Sequence, residues 1–382
     1  MITLCSDKSC TGCGSCLNVC PRNSISMEEN HEGFLYPVIN TASCIECGLC
    51  QKSCPELNPV KKNEKPKVYA SWSLNEEVRT TSSSGGLFFT LAEHIILRGG
   101  AVFGVVFNND MSASHVCAES ISELKAMQGS KYIQSNVNTT YNDALKILKE
   151  GREVMFTGTP CQIAGMKAFL GKRSYANLTL VDIVCHGTPP AKALKWYLKE
   201  ISHRIGKFNE NSFQFRNLNA WGVTPSIEVS EGRRLMAANE NLFMQLFLKS
   251  LLHRNSCYSC NYTTENRVSD ITLADFWGIG ETIPFPHDTS KGCSLVLVNS
   301  EHGKDLLNQV SGNIILQERT IEEAKVVNHQ LYMSSHRPVQ RDRIFNYIYA
   351  HTYDEVDRKF INTPYVKFRH FIGNILRILN LR

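Results

Sequence analysis

The sequence predicts a mixed α/β fold in three parts: a cysteine-rich N-terminal domain over residues 1–62, an α/β core over residues 65–315, and a mostly helical C-terminal extension over residues 316–382. Three observations predict this division. Two runs of four cysteines fall within the first 54 residues, strands and helices alternate after residue 67, and the last 60 residues look mainly helical. A chain of 382 residues suits two or three domains.

The two cysteine runs share one spacing. "CTGCGSCLNVCP" begins at Cys10 and "CIECGLCQKSCP" at Cys44, and both read C-x2-C-x2-C-x3-C-P. In this pattern three thiolates reach one [4Fe–4S] core, and the fourth ligates the other cluster. The spacing therefore predicts two clusters. One would be held by Cys10, Cys13, Cys16 and Cys54, and the other by Cys44, Cys47, Cys50 and Cys20.

Two other uses of cysteine fit these runs less well. Structural zinc also takes four cysteines, but it usually pairs two C-x-x-C halves without a trailing proline. Disulfides suit secreted chains, whereas the N-terminus "MITLCSDKSC" has no secretory signal, so we expect a cytoplasmic protein whose 15 cysteines bind metal. The first 60 residues resemble a bacterial two-cluster ferredoxin, in which residues 33–39 would form a covering strand.

Charge and hydropathy exclude some function classes. The formal charge of +5 would be offset by clusters of about −2 each, and no basic run interleaved with aromatics indicates nucleic-acid binding. No apolar stretch reaches the 18 residues of a transmembrane helix. The polar stretch 58–67, which contains two prolines, is expected to be the linker that leaves the N-terminal domain.

The core is predicted from alternating patterns that indicate a mixed or mostly parallel sheet. Strands are expected at residues 68–74, 101–107, 153–158 and 178–185, and later at "DITLADF" and "CSLVLVNS". Helices are expected at residues 85–100, at 139–151, from about Cys161, and at 188–205 with Thr188 as the cap.

Three turns at strand ends carry polar groups. "TSSSGG" (81–86) opens a helix whose free N–H groups would favour an anion, although an ordinary helix cap is the simpler explanation. "GTPCQ" (158–162) lies at another strand-to-helix turn, and "GSKYIQS" (129–135) offers Lys131 to a phosphate or an anionic ring edge.

A second cysteine group lies in the core. Cys161 and Cys185 follow predicted strands, and Cys257 and Cys260 form a C-x-x-C that precedes another strand. Because strand ends converge in an α/β sheet, these four thiolates could hold a third cluster. The alternatives are buried apolar fillers, half of a zinc knuckle, and a redox dithiol. Three cysteines without a partner pattern are expected to be free thiols: Cys5, Cys117 and Cys293.

These core motifs together resemble the coenzyme F420 hydrogenase/dehydrogenase β-subunit family. "SSSGGLF", "GSKYIQS", "GTPCQIAG", "DIVCHGTPP", "CYSCNY", "SDITLADFWGI" and "KGCSLVLVNS" occur in that family's order over about residues 65–310. The resemblance implies a non-covalent FAD beside an iron–sulfur cluster, and it makes the four core cysteines the ligands of that cluster. It implies FAD-binding residues at Ser83, Ser84, Gly85, Gly86, Lys131, Gly158, Thr159, Pro160 and Lys291.

The function that follows is an FAD and [4Fe–4S] oxidoreductase. Electrons would pass from ferredoxin or another redox protein through the clusters to FAD and a small organic substrate, in F420 chemistry or in envelope polysaccharide biosynthesis. His186 is the candidate proton donor, with packing beside a ligand as the alternative. Asp275 and Trp277 are expected to be structural or to pack on the flavin.

Other functions stay open. The chain could be a non-catalytic electron-transfer subunit that serves a partner enzyme, or a cluster-bearing assembly or regulatory protein. The C-terminal sequence "VKFRHFIGNILRILNLR" places apolar residues on one helical face with basic residues beside them. It would pack on its own core or contact a partner or a membrane surface.

Overall fold

The computed structural model describes residues 2–216, 221–237 and 240–364. The predicted C-terminal amphipathic helix, with its partner or membrane contact, lies outside these residues. No helix in the described ranges is long and apolar enough to cross a membrane.

The strands follow the predicted order, and several more are present that no sequence pattern indicated. They are β1 (Ile25–Glu29), β2 (Leu35–Ile39), β3 (Lys67–Ser73), β4 (Ala101–Phe107), β5 (Ala113–Ala118), β6 (Ser135–Asn136), β7 (Val154–Gly158), β8 (Leu178–Ile183), β9 (Ser226–Val229), β10 (Gly232–Leu235), β11 (Ile271–Asp275), β12 (Ser294–Val298) and β13 (Ile314–Arg319).

The helices range from single turns to four turns. They are α1 (Ser15–Val19), α2 (Leu49–Lys52), α3 (Glu76–Thr80), α4 (Leu87–Leu97), α5 (Ile121–Met127), α6 (Thr140–Lys149), α7 (Pro160–Leu170), α8 (Ala191–Ile205), α9 (Leu242–Leu248), α10 (Glu301–Gln309), α11 (Ile321–Lys325), α12 (Arg341–Phe345) and α13 (Tyr353–Val356).

A nine-stranded mixed sheet forms the centre of the core, in the order β13-β3-β12-β11-β8-β7-β4-β5-β6. The four neighbouring strands β11, β8, β7 and β4 are parallel. Strand β12 is buried along its whole length because both faces of the sheet are covered, which explains its unbroken apolar sequence "SLVLV". Because β11, β8, β7 and β4 are parallel, their carboxyl ends lie at one edge of the sheet. Ligands bind at this edge in open α/β sheets.

The N-terminal domain packs against the core instead of standing apart. Its β1–β2 hairpin places Phe34 in a hydrophobic cluster together with residues of α8, α9 and α12. The Glu32 carboxylate forms an ion pair with the buried Arg341 guanidinium, with Oε2 and Nη2 2.7 Å apart. The linker is held as well, because Asn63 hydrogen-bonds to Arg267 O and Ser269 O.

Two local expectations need correction or refinement. Thr188 does not cap α8; the helix begins after Pro190, and the Thr188 hydroxyl lies 3.9 Å from Cys257 Sγ instead. The strand predicted at 178–185 ends at Ile183, which leaves Cys185 in the following loop.

The C-terminal extension begins differently from its predicted boundary. Strand β13 spans the expected junction between residues 315 and 316, because it pairs with β3 at the edge of the large sheet. The described residues beyond it form helical turns of three to five residues joined by irregular segments, except that α13 continues directly into a π-helical turn at Asp357–Ile361.

Candidate iron–sulfur centres and the adjoining sheet edge

One cavity, here called the inner cavity, is lined by four cysteines from both runs: Cys10, Cys13, Cys16 and Cys54. Gly12 and Gly14 bend the chain around it with φ values of 69° and 76°, a conformation that favours glycine. Burial, then charge on Cys10, Cys54 and Cys50, raises the pKa of Cys16 to about 12. Four thiols therefore face one space. Bound iron, as a positive charge, would favour their thiolate forms there.

A second cavity, the outer cavity, is lined by the complementary set: Cys20, Cys44, Cys47 and Cys50. Gly48 turns the chain here with a φ of 72°, and Ser24 N donates to Cys20 Sγ over 3.3 Å. Cys47 is exposed, whereas Cys10 and Cys13 of the inner cavity are buried. The donor chemistry and the exchange of one cysteine between the runs fit two [4Fe–4S] clusters.

Cys5, which was expected to be a free thiol without a partner, lies at the inner cavity. Its thiol hydrogen-bonds to Cys10 and Cys54, and this contact is the main reason that the pKa of Cys10 falls to about 6 and that of Cys54 to about 7. Sequence spacing could not reveal this, because Cys5 stands outside both runs.

The four core cysteines come from three loops. Cys161 lies in the first turn of α7 after β7, Cys185 follows β8, Cys257 lies in a short 3-10 helix, and Cys260 ends it. Burial raises the pKa of Cys185 well above its ordinary value, and charge on Cys257, Cys161 and Cys260 acts in the same direction. The four thiols therefore lie within electrostatic reach of one another.

Polar groups contact the sulfurs of this core set. Tyr262 N donates to Cys260 Sγ over 3.4 Å, and the Thr159 hydroxyl lies 3.2 Å from Cys161 Sγ. A donor set of four cysteines with such contacts fits a [4Fe–4S] cluster. Among the residues that the structure describes, no three His, Cys, Asp or Glu side chains are grouped around the position of a single metal ion.

The inner cavity adjoins the core cysteines through α7. A Cβ at Gly165, one turn after Cys161, would lie 3.1 Å from Cys13 Sγ. The Tyr141 hydroxyl lies 2.7 Å from both Cys13 O and Gln162 O, which joins the N-terminal domain to α7. The outer cavity, the inner cavity and the core cysteines thus follow one another from the surface inward.

The serine–glycine loop lies at the same sheet edge. Ser83 Oγ accepts from Ser130 N over 3.0 Å, and Ser84 Oγ donates to Cys293 O over 3.1 Å. Gly85 leaves no room for a side chain, since a Cβ there would lie 2.4 Å from Ser71 O. Gly86, with a φ of 88°, begins α4.

A buried ion pair that no sequence motif indicated supports this loop. Arg216 Nη1 donates to Asp275 Oδ2 over 2.8 Å, and its Nη2 donates to Ser83 O over 2.7 Å. Trp221 Nε1 also donates to Asp275, over 2.6 Å, and its ring stacks on Trp277 with centroids 4.8 Å apart. Arg216 and Trp221 belong to no motif, so only the fold brings them to the strand end at Asp275.

Three residues expected at the flavin have other partners. Burial lowers the pKa of Lys131 to about 7, and its ammonium donates to four carbonyls at the end of α5. Lys291 pairs with Glu76 at the surface. The Thr159 hydroxyl donates to Gln162 Oε1 over 3.0 Å, while Gly158 and Pro160 flank it at the β7–α7 turn.

His186 directly follows Cys185 in the loop after β8. Its Nδ1 is 2.9 Å from Gln330 Nε2, and its Nε2 is buried without a hydrogen-bond partner among the described residues. Burial lowers the pKa of His186, so the ring is neutral near pH 7. The ring packs edge-on against Phe247 and against His253, a buried histidine that no sequence pattern singled out.

Two parts of the chain match models of known protein families. Residues 9–57 match the 4Fe-4S dicluster domain, and residues 151–324 match the family described as the C terminus of the coenzyme F420 hydrogenase/dehydrogenase beta subunit. No curated protein matches the chain significantly.

A solved structure of the F420-reducing [NiFe] hydrogenase complex from Methanosarcina barkeri is similar over 71% of this chain and 90% of the matched chain, at 15% identity and a TM-score of 0.49. The chain is an iron–sulfur electron-transfer protein with an N-terminal 4Fe-4S dicluster domain, and its residues 151–324 are related to the C terminus of the coenzyme F420 hydrogenase/dehydrogenase β subunit.

Proposed function

We propose that this protein is an FAD-dependent [4Fe–4S] oxidoreductase with three clusters. The observation that carries the proposal is the position of the core cysteines. Cys161 and Cys185 follow β7 and β8 at the sheet edge that also holds the Ser83 loop, and α7 contacts Cys13 of the inner cavity. A third cluster at Cys161, Cys185, Cys257 and Cys260 would join the dicluster domain to that edge.

FAD would be held at the sheet edge by the loop of Ser83 to Gly86 and by the segment around Lys291. Bound FAD exchanges one or two electrons and can transfer a hydride to or from an organic substrate. The chain's own residues orient this edge: Arg216 and Asp275 hold the Ser83 carbonyl in place. His186, whose buried Nε2 has no hydrogen-bond partner among the described residues, would hold a proton or a hydrogen bond beside Cys185.

The resemblance suggests two substrate classes, a deazaflavin coenzyme and a sugar or nucleotide-linked precursor of envelope polysaccharide. Ferredoxin or a similar redox protein would exchange electrons at the outer cavity, because Cys47 is the exposed cysteine of that set. The substrate classes follow from the resemblance to the family, and the site of the redox partner follows from the exposure of Cys47.

Anaerobic purification, with iron, sulfide and flavin measured on one sample, tests the proposal first. We expect about 12 irons and one FAD per chain, and about 8 irons in Cys257→Ser. Cys117→Ser is the matched control, because Cys117 lies outside all three sets, and it should keep all 12. About 8 irons and no flavin in the wild-type protein would contradict the proposal.

The second candidate function is an electron-transfer subunit that serves a partner enzyme. The apolar side chains around the outer cavity favour a protein contact there, since Ile45 is 58% exposed and Leu49 is 38% exposed. Turnover of a deazaflavin by the isolated, flavin-loaded chain would favour the enzyme. Reduction of the clusters without turnover of either substrate class would favour the subunit.

A further inference from the structure

Arg254 is a buried cation between two cysteine sets. Its side chain is among the largest that are fully buried, with 1% of the residue exposed. Nε donates to Cys10 O over 2.6 Å, and Nη1 donates to Leu35 O over 2.9 Å. On the other side its own carbonyl accepts from Cys257 N over 3.0 Å. The residue therefore joins the loop of the inner cavity to the core.

The guanidinium has no carboxylate partner in the part of the chain that the structure describes. In the described ranges no Asp or Glu forms an ion pair with Arg254, and Nη2 has no hydrogen-bond acceptor. The other polar side chain beside it is neutral: Gln134 Oε1 lies 3.4 Å from Nη1. The Tyr36 ring lies against it, 3.8 Å from Cζ. A buried charge without a counter-ion is costly, so an anion is expected nearby.

The inner cluster would supply that anion. A [4Fe–4S]2+ core with four thiolates carries about −2, and one added electron makes it about −3. A Cβ on Gly12, within the cysteine run, would lie only 3.2 Å from Arg254 Nη1, so the guanidinium borders the loop that wraps this cluster. The outer set, with the exposed Cys47, has a solvated environment instead.

We propose that Arg254 is a positioning residue whose buried charge raises the reduction potential of the inner cluster above that of the outer cluster. A fixed cation stabilises the reduced, more negative state, and burial strengthens the interaction. The two clusters of the dicluster domain are thereby made unequal, which favours electron movement from the surface toward the core. The inference requires only the two clusters of the dicluster domain. It stands whether or not FAD or a third cluster binds.

The test is an anaerobic redox titration of the full chain, followed by electron paramagnetic resonance. Cys47→Ala removes a ligand of the outer cluster and assigns its signal. In Arg254→Gln we expect the equilibrium constant for reduction of the inner cluster to fall at least tenfold. This lowers its reduction potential by at least about 59 mV for one electron. Arg254→Lys should keep most of the wild-type potential, and the outer cluster should not shift.

A second variant keeps the proposal falsifiable if Arg254→Gln does not assemble. Gln134→Glu introduces a carboxylate beside Nη1 with little change in shape, while its oxygen can still accept from Leu35 N. It should lower the inner potential in the same direction. The matched control is Arg98→Gln, which removes an arginine that is paired with Glu153 at the surface.

Unchanged inner potentials in the variants that assemble would overturn the proposal. An equal shift of both clusters would overturn it too, because that would indicate general loosening of the domain. Failure of the proposed function would appear separately, as missing flavin or a missing third cluster in the wild-type protein.

Discussion

At the scale of single residues, the cysteines differ in what their surroundings do to the thiol. Burial raises the pKa of Cys161 to about 12, whereas the hydrogen bond from Cys5 lowers that of Cys10 to about 6. The inner cavity thus holds a fifth thiol, that of Cys5. The spacing of the cysteines does not define its role. Its contacts indicate a hydrogen-bond donor to ligand sulfurs instead of a ligand.

Cys5→Ala should therefore keep the full iron content, because the four cysteines of the inner cavity remain. Cys16→Ala is the matched control and should lose about four irons. Iron and sulfide analysis after anaerobic purification measures both. A loss of about four irons in Cys5→Ala would make Cys5 a ligand.

Asp275→Asn should leave the iron content unchanged while flavin retention falls at least tenfold, because the Arg216 charge would lose its buried partner and the Ser83 carbonyl its fixed support. Removing one member of a buried pair costs about 3–5 kcal/mol. Flavin fluorescence of the released cofactor and urea unfolding measure the two effects. Asp110→Asn, from an exposed pair with Lys195, is the control and should cost about 0–1 kcal/mol.

At the scale of elements, α7 has two tasks: it carries Cys161 in its first turn, and it contacts Cys13 one turn later. The contact depends on Gly165, where a Cβ would lie 2.8 Å from Tyr141 Oη and 2.9 Å from Cys13 Cβ. The helix therefore sets how closely the inner cavity approaches the core cysteines.

Gly165→Ala should destabilise the protein by about 1–3 kcal/mol, because an added methyl group overpacks this contact. Gly312→Ala is the control, since a Cβ there meets no atom within 4 Å. Urea unfolding, followed by cluster absorbance, compares the two. Equal midpoints would show that α7 and the N-terminal domain do not pack closely.

His115 joins β5 to β7 and β6, with Nε2 3.0 Å from Thr157 O and Nδ1 3.2 Å from Ser135 Oγ. Burial lowers its pKa from about 6.5 to about 4. The folded protein keeps the ring neutral while the unfolded chain binds a proton, so the stability contribution is complete above pH 6.5 and is lost as the pH falls toward 4.

This predicts a loss of about 3 kcal/mol over that range, since each pKa unit is worth about 1.4 kcal/mol. Urea unfolding at pH 7, 6 and 5 should show a steeper fall for the wild-type protein than for His115→Gln. Clusters that are labile to acid affect both proteins alike, so the difference between them isolates the histidine. Parallel curves would contradict the prediction.

At the scale of the whole molecule, the dicluster domain and the core share one packed interior. Phe34 contacts Phe345 with ring centroids 5.7 Å apart, and Arg341, which is fully buried, has its charge partner Glu32 in the N-terminal domain. The two parts therefore form a single packed unit.

Glu32→Gln should lower the free energy of unfolding by about 3–5 kcal/mol, because the buried Arg341 would lose its buried partner and keep only the exposed carboxylate of Asp342. Tryptophan fluorescence and cluster absorbance, recorded in one urea titration, should shift together. Asp110→Asn is again the surface control. A shift of the cluster signal alone would mean that the two parts unfold independently.

The sequence by itself determined what local pattern can specify. The spacing of the two runs predicted the grouping of eight cysteines in two cavities, and periodicity predicted β4, the start of α7 and the position of β12. These features depend on short-range patterns: thiols three positions apart reach one cluster, and apolar residues repeat with the period of the element.

Only the tertiary structure decided what distant segments do together. It brought Arg216 to Asp275, Cys5 to Cys10, and Arg254 to the loop at Gly12, across separations that no local pattern records. It also places Thr188 in contact with Cys257, whereas the sequence predicted a helix cap at this residue. The physical reason is that a buried charge or thiol takes its partner from whatever the packed chain places beside it, and packing is decided by the whole fold.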